Sequence, residues 1–286
     1  MGTNMNNLSW TKYESMVLNC FKTHYPNSDI KRNVQIKGRY SKRKRQIDIL
    51  ITEITPAGSI RIVIDAKNHS RKLDVRAVDN FEGFLNDIGI SKGLLIAQNG
   101  YTSTALRRAY NCPSDIELDI LNFSELKKWQ AFCAIPYSGK TAFIVQAPFG
   151  WIVDASRDYN LLCMMYRRGL DSKSAIRDGE FLYIDFWDKK KDHLTANQLD
   201  KRQIEVMKES SLTVKATHLT TVKRKDAKTL LSYRVVKDYK FLEIVGFIEF
   251  DNVIFFAVLF TTIEKQKSNI RRLEHLLQSA ISGNVI

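Results

Sequence analysis

Arg45-Gln46-Ile47-Asp48 and Ile64-Asp65-Ala66-Lys67 are the two stretches that decide how this chain is read. Both end apolar, β-branched runs at residues 47–54 and 60–66, which read as strands. Thr55-Pro56-Ala57-Gly58 lies between them and has turn chemistry, so the two strands form a hairpin. Residues two apart on a strand share a face, which puts Asp65 and Lys67 together with Ala66 pointing away. If Asp48 lies on the neighbouring antiparallel strand, its carboxylate reaches the same spot. Two carboxylates converging beside a lysine make a hard-cation site of the kind that takes Mg²⁺ together with substrate phosphates. Placing such groups at the ends of apolar strands is costly unless they have a role.

Working outward, residues 10–23 carry apolar side chains at helical spacing (Tyr13, Met16, Val17, Cys20, Phe21) and read as an amphipathic helix. After the hairpin come a helix at 74–86, a strand at 92–97, a helix at 103–110 and a strand at 116–121, with Ser124 capping a last short helix. A hairpin followed by alternating α and β elements predicts an α/β domain over residues 1–135, with a mixed sheet flanked by helices. The Pro- and Gly-containing stretch 134–140 is the expected boundary. Residues 140–286 then turn strand-rich, with strands at 142–146, 181–186, 232–236, 241–250 and 253–262, a two-residue turn at Asp251-Asn252, and helices at 197–209 and 267–280. This predicts an α+β domain with an antiparallel sheet.

The 286 residues carry 44 Lys and Arg against 31 Asp and Glu, a formal charge of +13. An excess of that size fits either a polyanionic partner or solubility alone. Its densest part is Lys31, Arg32, Lys37, Arg39, Lys42, Arg43, Lys44 and Arg45, eight basic residues in fifteen with no acidic residue among them. A basic loop running directly into the Asp48 strand is placed to hold phosphates beside the site. Gly38 within it predicts a backbone kink or a close phosphate approach. Gln46 is an equal candidate for a nucleic-acid contact and for a structural hydrogen bond. His69, just past the second stretch, reads as a polar loop residue.

The four cysteines, Cys20, Cys112, Cys133 and Cys163, form no C-x-x-C pair and argue against zinc. They read as reduced, mostly buried thiols. With neither a signal-peptide pattern nor an apolar run long enough to span a bilayer, the expectation is a cytoplasmic protein without a membrane.

The arrangement resembles the PD-(D/E)xK nuclease superfamily, and within it the Mrr-type restriction endonucleases that target modified DNA. The resemblance runs from about Tyr13 to Leu121. It takes in Tyr13-Glu14, residues 45–51, residues 63–67, residues 75–84, Lys92-Gly93, and Gly100-Tyr101-Thr102 with Ala105 and Ala109. It implies a restriction-endonuclease-like core, with Asp48 and Asp65 as metal ligands and the Ala66 carbonyl completing the coordination. It also implies Lys67 as catalytic lysine and Glu14 as an auxiliary helix carboxylate. Asp65 stands where that family more often has Glu. Arg39, Lys42, Arg43, Lys44, Arg45 and Gln46 would then contact double-stranded DNA, modified or not, with Mg²⁺ as cofactor and Mn²⁺ as substitute.

The implied activity is a metal-dependent endodeoxyribonuclease of restriction type, working as a homo-oligomer in defence against foreign DNA. A structure-specific repair or junction-resolving nuclease would use the same residues, and a vestigial nucleic-acid-binding protein is the reading from another class. Residues 148–154, the strand at 180–184, and the last strand and helix resemble the Mog1/PsbP-like sandwich. That likeness is at fold level only, and targeting or oligomerisation is the role expected of the second domain.

Overall fold

In a computed structural model, residues 9–24, 28–55, 58–112, 116–123, 126, 133–148, 150–154, 160–210, 212–220 and 222–284 are described. Pro56, Ala57, Ser124 and Phe149 lie outside them. Contacts divide the chain into two compact units, residues 1–54 with 59–129, and residues 55–58 with 130–286.

The first unit is a five-stranded mixed sheet in the order β1-β2-β3-β4-β5. Its strands are β1 (Asp29–Lys37), β2 (Lys44–Thr55), β3 (Gly58–Lys67), β4 (Lys92–Ala97) and β5 (Glu117–Asn122). β1 is antiparallel to β2, whereas β3, β4 and β5 run parallel. The helices are α1 (Trp10–His24), α2 (Val75–Ile88) and α3 (Ser103–Tyr110). This is the mixed sheet flanked by helices expected from the hairpin and the alternation that follows it, and it is consistent with the restriction-endonuclease-like core that the resemblance implies.

The apolar faces explain the layering. Ile47, Leu50 and Val63 of the hairpin, Leu95 and Ala97 of β4, and Leu118 and Ile120 of β5 form one core with Val78, Phe81 and Leu85 of α2 and Ala105 and Ala109 of α3. α2 begins at Asp74, whose carboxylate accepts from the Ala77 N–H at 3.2 Å. It ends at Gly89, in the left-handed region at φ 70°, where the Gly89 and Ile90 N–H groups close on the Leu85 carbonyl. α2 also needs Gly93 on β4. A Cβ there would stand 2.3 Å from Leu85 Cδ1 and 2.9 Å from the Phe81 ring, so the missing side chain sets how close the helix lies to the sheet.

The basic run corrects the sequence reading. It is a hairpin, not a loop: Lys31, Arg32 and Lys37 are on β1, Arg39, Lys42 and Arg43 are in the turn, and Lys44 and Arg45 open β2. β1 alternates along its length, with Ile30, Arg32, Val34 and Ile36 half-buried and the residues between them exposed.

The second unit is α+β, as expected, and its main sheet is antiparallel. Seven strands run in the order β12-β13-β14-β15-β11-β10-β9. They are β9 (Trp151–Asp154), β10 (Cys163–Arg167), β11 (Phe181–Asp188), β12 (Val214–Leu219), β13 (Lys228–Val236), β14 (Leu242–Glu249) and β15 (Val253–Thr261). A smaller sheet joins β6 (Cys133–Ala134), β7 (Tyr137–Ser138), β8 (Thr141–Gln146) and β16 (Ile281–Asn284). The Pro- and Gly-containing stretch is thus built into this sheet.

The helices of this unit are α4 (Ser172–Asp178), α5 (Lys189–Asp192), α6 (Ala196–Glu209) and α7 (Gln266–Ser279). Leu273, Leu276 and Leu277 of α7 share a core with Phe143 and Val145 of β8 and with Ile244, Phe255 and Leu259 of the large sheet. Ala196 and Leu199 of α6 pack instead with Val245, Phe247, Ile254 and Val258, residues that alternate with the first set. β14 is therefore buried on both faces. Asp251-Asn252 makes the β14–β15 turn, closed by the Phe250 N–H on the Val253 carbonyl at 3.0 Å. Of the cysteines, Cys112 and Cys163 are buried, Cys20 is half-buried and Cys133 is exposed. No helix among the described residues is long and apolar enough to cross a membrane.

The Gly93 contact yields a stability prediction. Gly93→Ala forces a methyl into a filled core and is expected to cost about 1–3 kcal/mol. Thermal denaturation of the full chain measures this, and an unchanged melting temperature would show that α2 can yield without penalty.

Candidate active site

Asp48, Asp65 and Lys67 line one open cleft of about 370 Å³. Arg45, Gln46, Ile47, Val63 and Ile64 of the hairpin line it with them. α2 supplies the opposite wall through Ala77, Asn80, Phe81 and Phe84, which are spaced so that one helix face points inward. The strand periodicity therefore brings the acidic pair and the lysine together on one face, opposite the wall that α2 supplies.

Each side chain has a local reason for its position. Asp48 is fixed by the neighbouring strand: its Oδ2 accepts from the Ala66 N–H at 3.1 Å. Ala66 itself is buried, its methyl turned away from the cleft by the alternation of β3. Lys67 Nζ lies 2.9 Å from Asp65 Oδ1. That oxygen is buried, and the Lys67 ammonium is its close partner.

Burial pushes the Asp65 carboxyl up to about 6; the Lys67 ammonium pulls it back down and the Asp48 carboxylate pushes it up further. A carboxylate pushed up by burial, next to a second carboxylate, fits a hard divalent cation: the donors are oxygens and the added positive charge would relieve both repulsion and desolvation.

Other expected residues fall differently. Glu14 is buried on α1 with its carboxylate 3.5 Å from the Arg32 guanidinium of β1, and it is not among the residues lining the cleft. Gln46 lines the cleft and donates from Nε2 to Asn33 Oδ1 at 3.2 Å, which is the structural hydrogen bond of its two readings. Asn33 is itself unusual. It sits between the pairs Arg32↔Ile49 and Val34↔Ile47, hence across from Asp48, with a left-handed φ of 52°. His69 is exposed in the loop after β3, as expected, and reaches the cleft wall.

The basic turn divides in two. Lys42, Arg43 and Lys44 are exposed. Arg39 donates from Nη2 to the Gly89 carbonyl at 3.2 Å, at the end of α2. Arg45 is held between the Asp87 carboxylate, 3.2 Å away, and the Phe84 ring, whose centroid is 5.0 Å from Cζ. Gly38 corrects its expectation as well. Its φ is not left-handed, and a Cβ there would meet Asp87 Oδ2 at 2.4 Å and Ser41 Oγ at 2.3 Å. The close approach it permits is to a carboxylate of this chain, not to a phosphate. Asp87 escaped the sequence reading because one Asp near the end of a helix carries no pattern.

No curated protein matches the sequence. Among solved structures, the chain is similar to the solution structure of cyanobacterial PsbP from Synechocystis, at 15% identity over 54% of this chain and 95% of that one, with a TM-score of 0.35. Residues 5–129 match the family model of the Mrr catalytic domain, described as restriction endonuclease. That span contains Asp48, Asp65 and Lys67 together with both cleft walls, and so the part of the chain that carries the site is the part similar to the Mrr-type restriction endonuclease catalytic domain.

Proposed function

We propose that this protein is a divalent-metal-dependent endonuclease that hydrolyses phosphodiester bonds in double-stranded DNA, as a restriction-type enzyme acting on foreign DNA. The convergence of Asp48, Asp65 and Lys67 in one cleft, beside the cationic Arg45, carries this reading. The second unit, α+β and rich in strands, is the proposed targeting or assembly element.

Asp48, Asp65 and the Ala66 carbonyl would hold the cation. When bound, Mg²⁺, or Mn²⁺ in its place, supplies activation of a water and neutralisation of phosphate charge. The remaining work falls to the chain. The Ala66 N–H keeps Asp48 in one orientation. Asp65, paired with Lys67, holds that ammonium in the cleft. Lys67 can orient the attacking water or offset the charge that develops on the phosphate as water adds to phosphorus and the ester oxygen leaves. Arg45, pinned at its far side, presents the rest of its guanidinium to a backbone phosphate. The exposed Lys42, Arg43 and Lys44 extend the phosphate track.

Asp48→Ala, Asp65→Ala and Lys67→Ala are each expected to reduce cleavage of duplex DNA by about three orders of magnitude or more, since each removes a charge that acts in the transition state. Excess chelator is expected to stop the wild-type enzyme, and Mg²⁺ or Mn²⁺ to restore it. Plasmid cleavage with purified variants is the assay, and wild-type rates in either arm would refute the assignment.

The raised Asp65 pKa makes a separate prediction for the metal-free protein. Because the folded form binds this proton more tightly than the unfolded chain, the associated stability is fully present below the ordinary carboxylate pKa. It is lost as the pH rises through about 6. Asp65→Asn removes the ionisation, so in chelator at pH 8 it is expected to be more stable than wild type by an amount on the order of 2 kcal/mol. The difference should vanish near pH 4. Thermal melts at the two pH values test this, and an Asn variant that is less stable at pH 8 would contradict it.

Neutralising Lys42, Arg43 and Lys44 together is expected to weaken DNA binding across sequences and to flatten the log K against log salt slope by about 0.9 per lost phosphate contact. Binding titrations at several salt concentrations decide this. An unchanged slope would leave these residues merely solvated.

A further inference from the structure

The 38–45 turn is more tightly bound to α2 than an exposed basic hairpin requires, and almost every contact ends on one residue. Asp87 Oδ1 accepts from the Tyr40 N–H at 3.0 Å and from the Ser41 N–H at 2.9 Å. Its Oδ2 accepts from the Ser41 hydroxyl at 2.6 Å and from Arg45 Nη1 at 3.2 Å. The Asp87 carbonyl accepts from the Arg39 N–H at 2.6 Å. Within the turn the Gly38 N–H closes on the Arg43 carbonyl at 2.8 Å, and Lys42 takes a left-handed φ of 56°.

Two glycines exist at this junction because the contacts are so close. A Cβ at Gly38 would strike Asp87 and Ser41, and a Cβ at Gly89 would lie 2.0 Å from Arg39 Nε. The Ser41 hydroxyl and N–H, with the Tyr40 N–H and Arg45, hold the Asp87 carboxyl below the usual carboxylate range, so it is charged at neutral pH. The outcome is a turn with one conformation, in which Tyr40, Lys42, Arg43 and Lys44 all face outward.

We infer that Asp87 is a positioning residue for the polyanionic substrate: it fixes the 38–45 turn and Arg45 so that their cations meet the DNA backbone already ordered. The inference rests on the nuclease reading of the cleft. Its physical content is preorganisation. A free turn bearing five cations would lose side-chain and backbone freedom on binding, and that loss subtracts from affinity. With Asp87 in place, the ordering has been completed during folding.

Charge and preorganisation predict opposite signs, and this makes the inference testable. Deleting a carboxylate next to a bound polyanion strengthens binding if charge alone matters. If Asp87 positions the turn, deleting it weakens binding. Gly38→Ala separates the two further, because it forces the turn off Asp87 without altering any charge.

The experiment is fluorescence anisotropy of a labelled duplex with the full chain in chelator, where no cleavage occurs, between 50 and 200 mM salt, with the Lys42, Arg43 and Lys44 neutralisation as reference. Asp87→Ala and Gly38→Ala are both expected to weaken binding about tenfold at the middle of that range and to flatten the salt slope by about one to two contacts' worth, at 0.9 each. Asp87→Asn keeps the Oδ1 acceptor and should fall between wild type and Asp87→Ala. Ser41→Ala, at an exposed position, deletes the hydroxyl's bond to Asp87 and the longer one it accepts from the Arg43 N–H at 3.4 Å, and leaves the carboxylate in place. It should shift both readings in the same direction by less, and it carries the test if Asp87→Ala does not fold.

Wild-type or tighter affinity with a wild-type slope in Gly38→Ala, or in the folded Asp87 or Ser41 variant, overturns the positioning role. In that case a flattened slope in the reference variant leaves the nuclease reading intact. A wild-type chain that does not bind duplex DNA removes that reading and this inference together.

Discussion

Burial of the Asp65 carboxylate is the constraint around which the first unit is arranged. β3 ends with Asp65 and Lys67 on the face that α2 covers, and Gly93 on β4 lets α2 come close enough to cover it. A carboxylate in that position is destabilised by lost hydration and by Asp48 beside it, and Lys67 offsets only part of this. Such a site would gain stability if a divalent cation entered, and strain of this kind is commonly stored at functional sites. The same closeness of α2 supplies the apolar wall of Phe81 and Phe84, and a wall of that kind strengthens whatever electrostatic contact the cleft makes.

α2 has a second duty at its other end. Its last turn carries Asp87, and the residues after it carry the Gly89 carbonyl; both face the β1–β2 turn. One helix thus fixes the floor and wall of the cleft through Val78, Phe81 and Leu85, and the approach to the cleft through Asp87. Arg45 links the two regions, since it lines the cleft, stacks over Phe84 and pairs with Asp87. A displacement of α2 would therefore disturb the acidic cleft and the basic turn together, which is a reason for the helix to be capped at both ends.

The legible parts of the sequence were those in which burial and periodicity agree. β2 is a β-branched run that opens on charged residues and β3 one that closes on them, and the alternation of β3 alone puts Asp65 and Lys67 on one face. β1 was hidden because its inward positions include Arg32 and its outward ones Lys31, Asn33, Gln35 and Lys37, so a period of two was masked by a block of charge. β12, an exposed edge strand with only Val214 and Thr217 β-branched, carries a weak signal, and β10, built from Cys, Met, Met, Tyr and Arg, carries none. The cleft's own residues were readable from strand position. Asn80 and Phe84 were not, because their contribution depends on how α2 crosses the sheet, and that angle is set by packing.

The basic composition shows the same gap between sequence and structure. A charge of +13 invites the view that each excess cation awaits a phosphate, but many of the cations are committed inside the fold. Lys92 is buried against Glu117 at 2.8 Å, Arg108 pairs with Asp79 and Glu82, and Arg32 faces Glu14. In the second unit, Arg234 is almost wholly buried between Asp200 and Glu243, at 2.6 Å from each, with Gln203 as a further acceptor. Removing that arginine would strand two buried carboxylates, a change whose cost comes from desolvation and has nothing to do with a nucleic acid. What bears on a polyanion is the smaller set of cations that are exposed and held in register by something rigid. In this chain that set is concentrated in the turn that Asp87 anchors, ahead of the strand that carries Asp48.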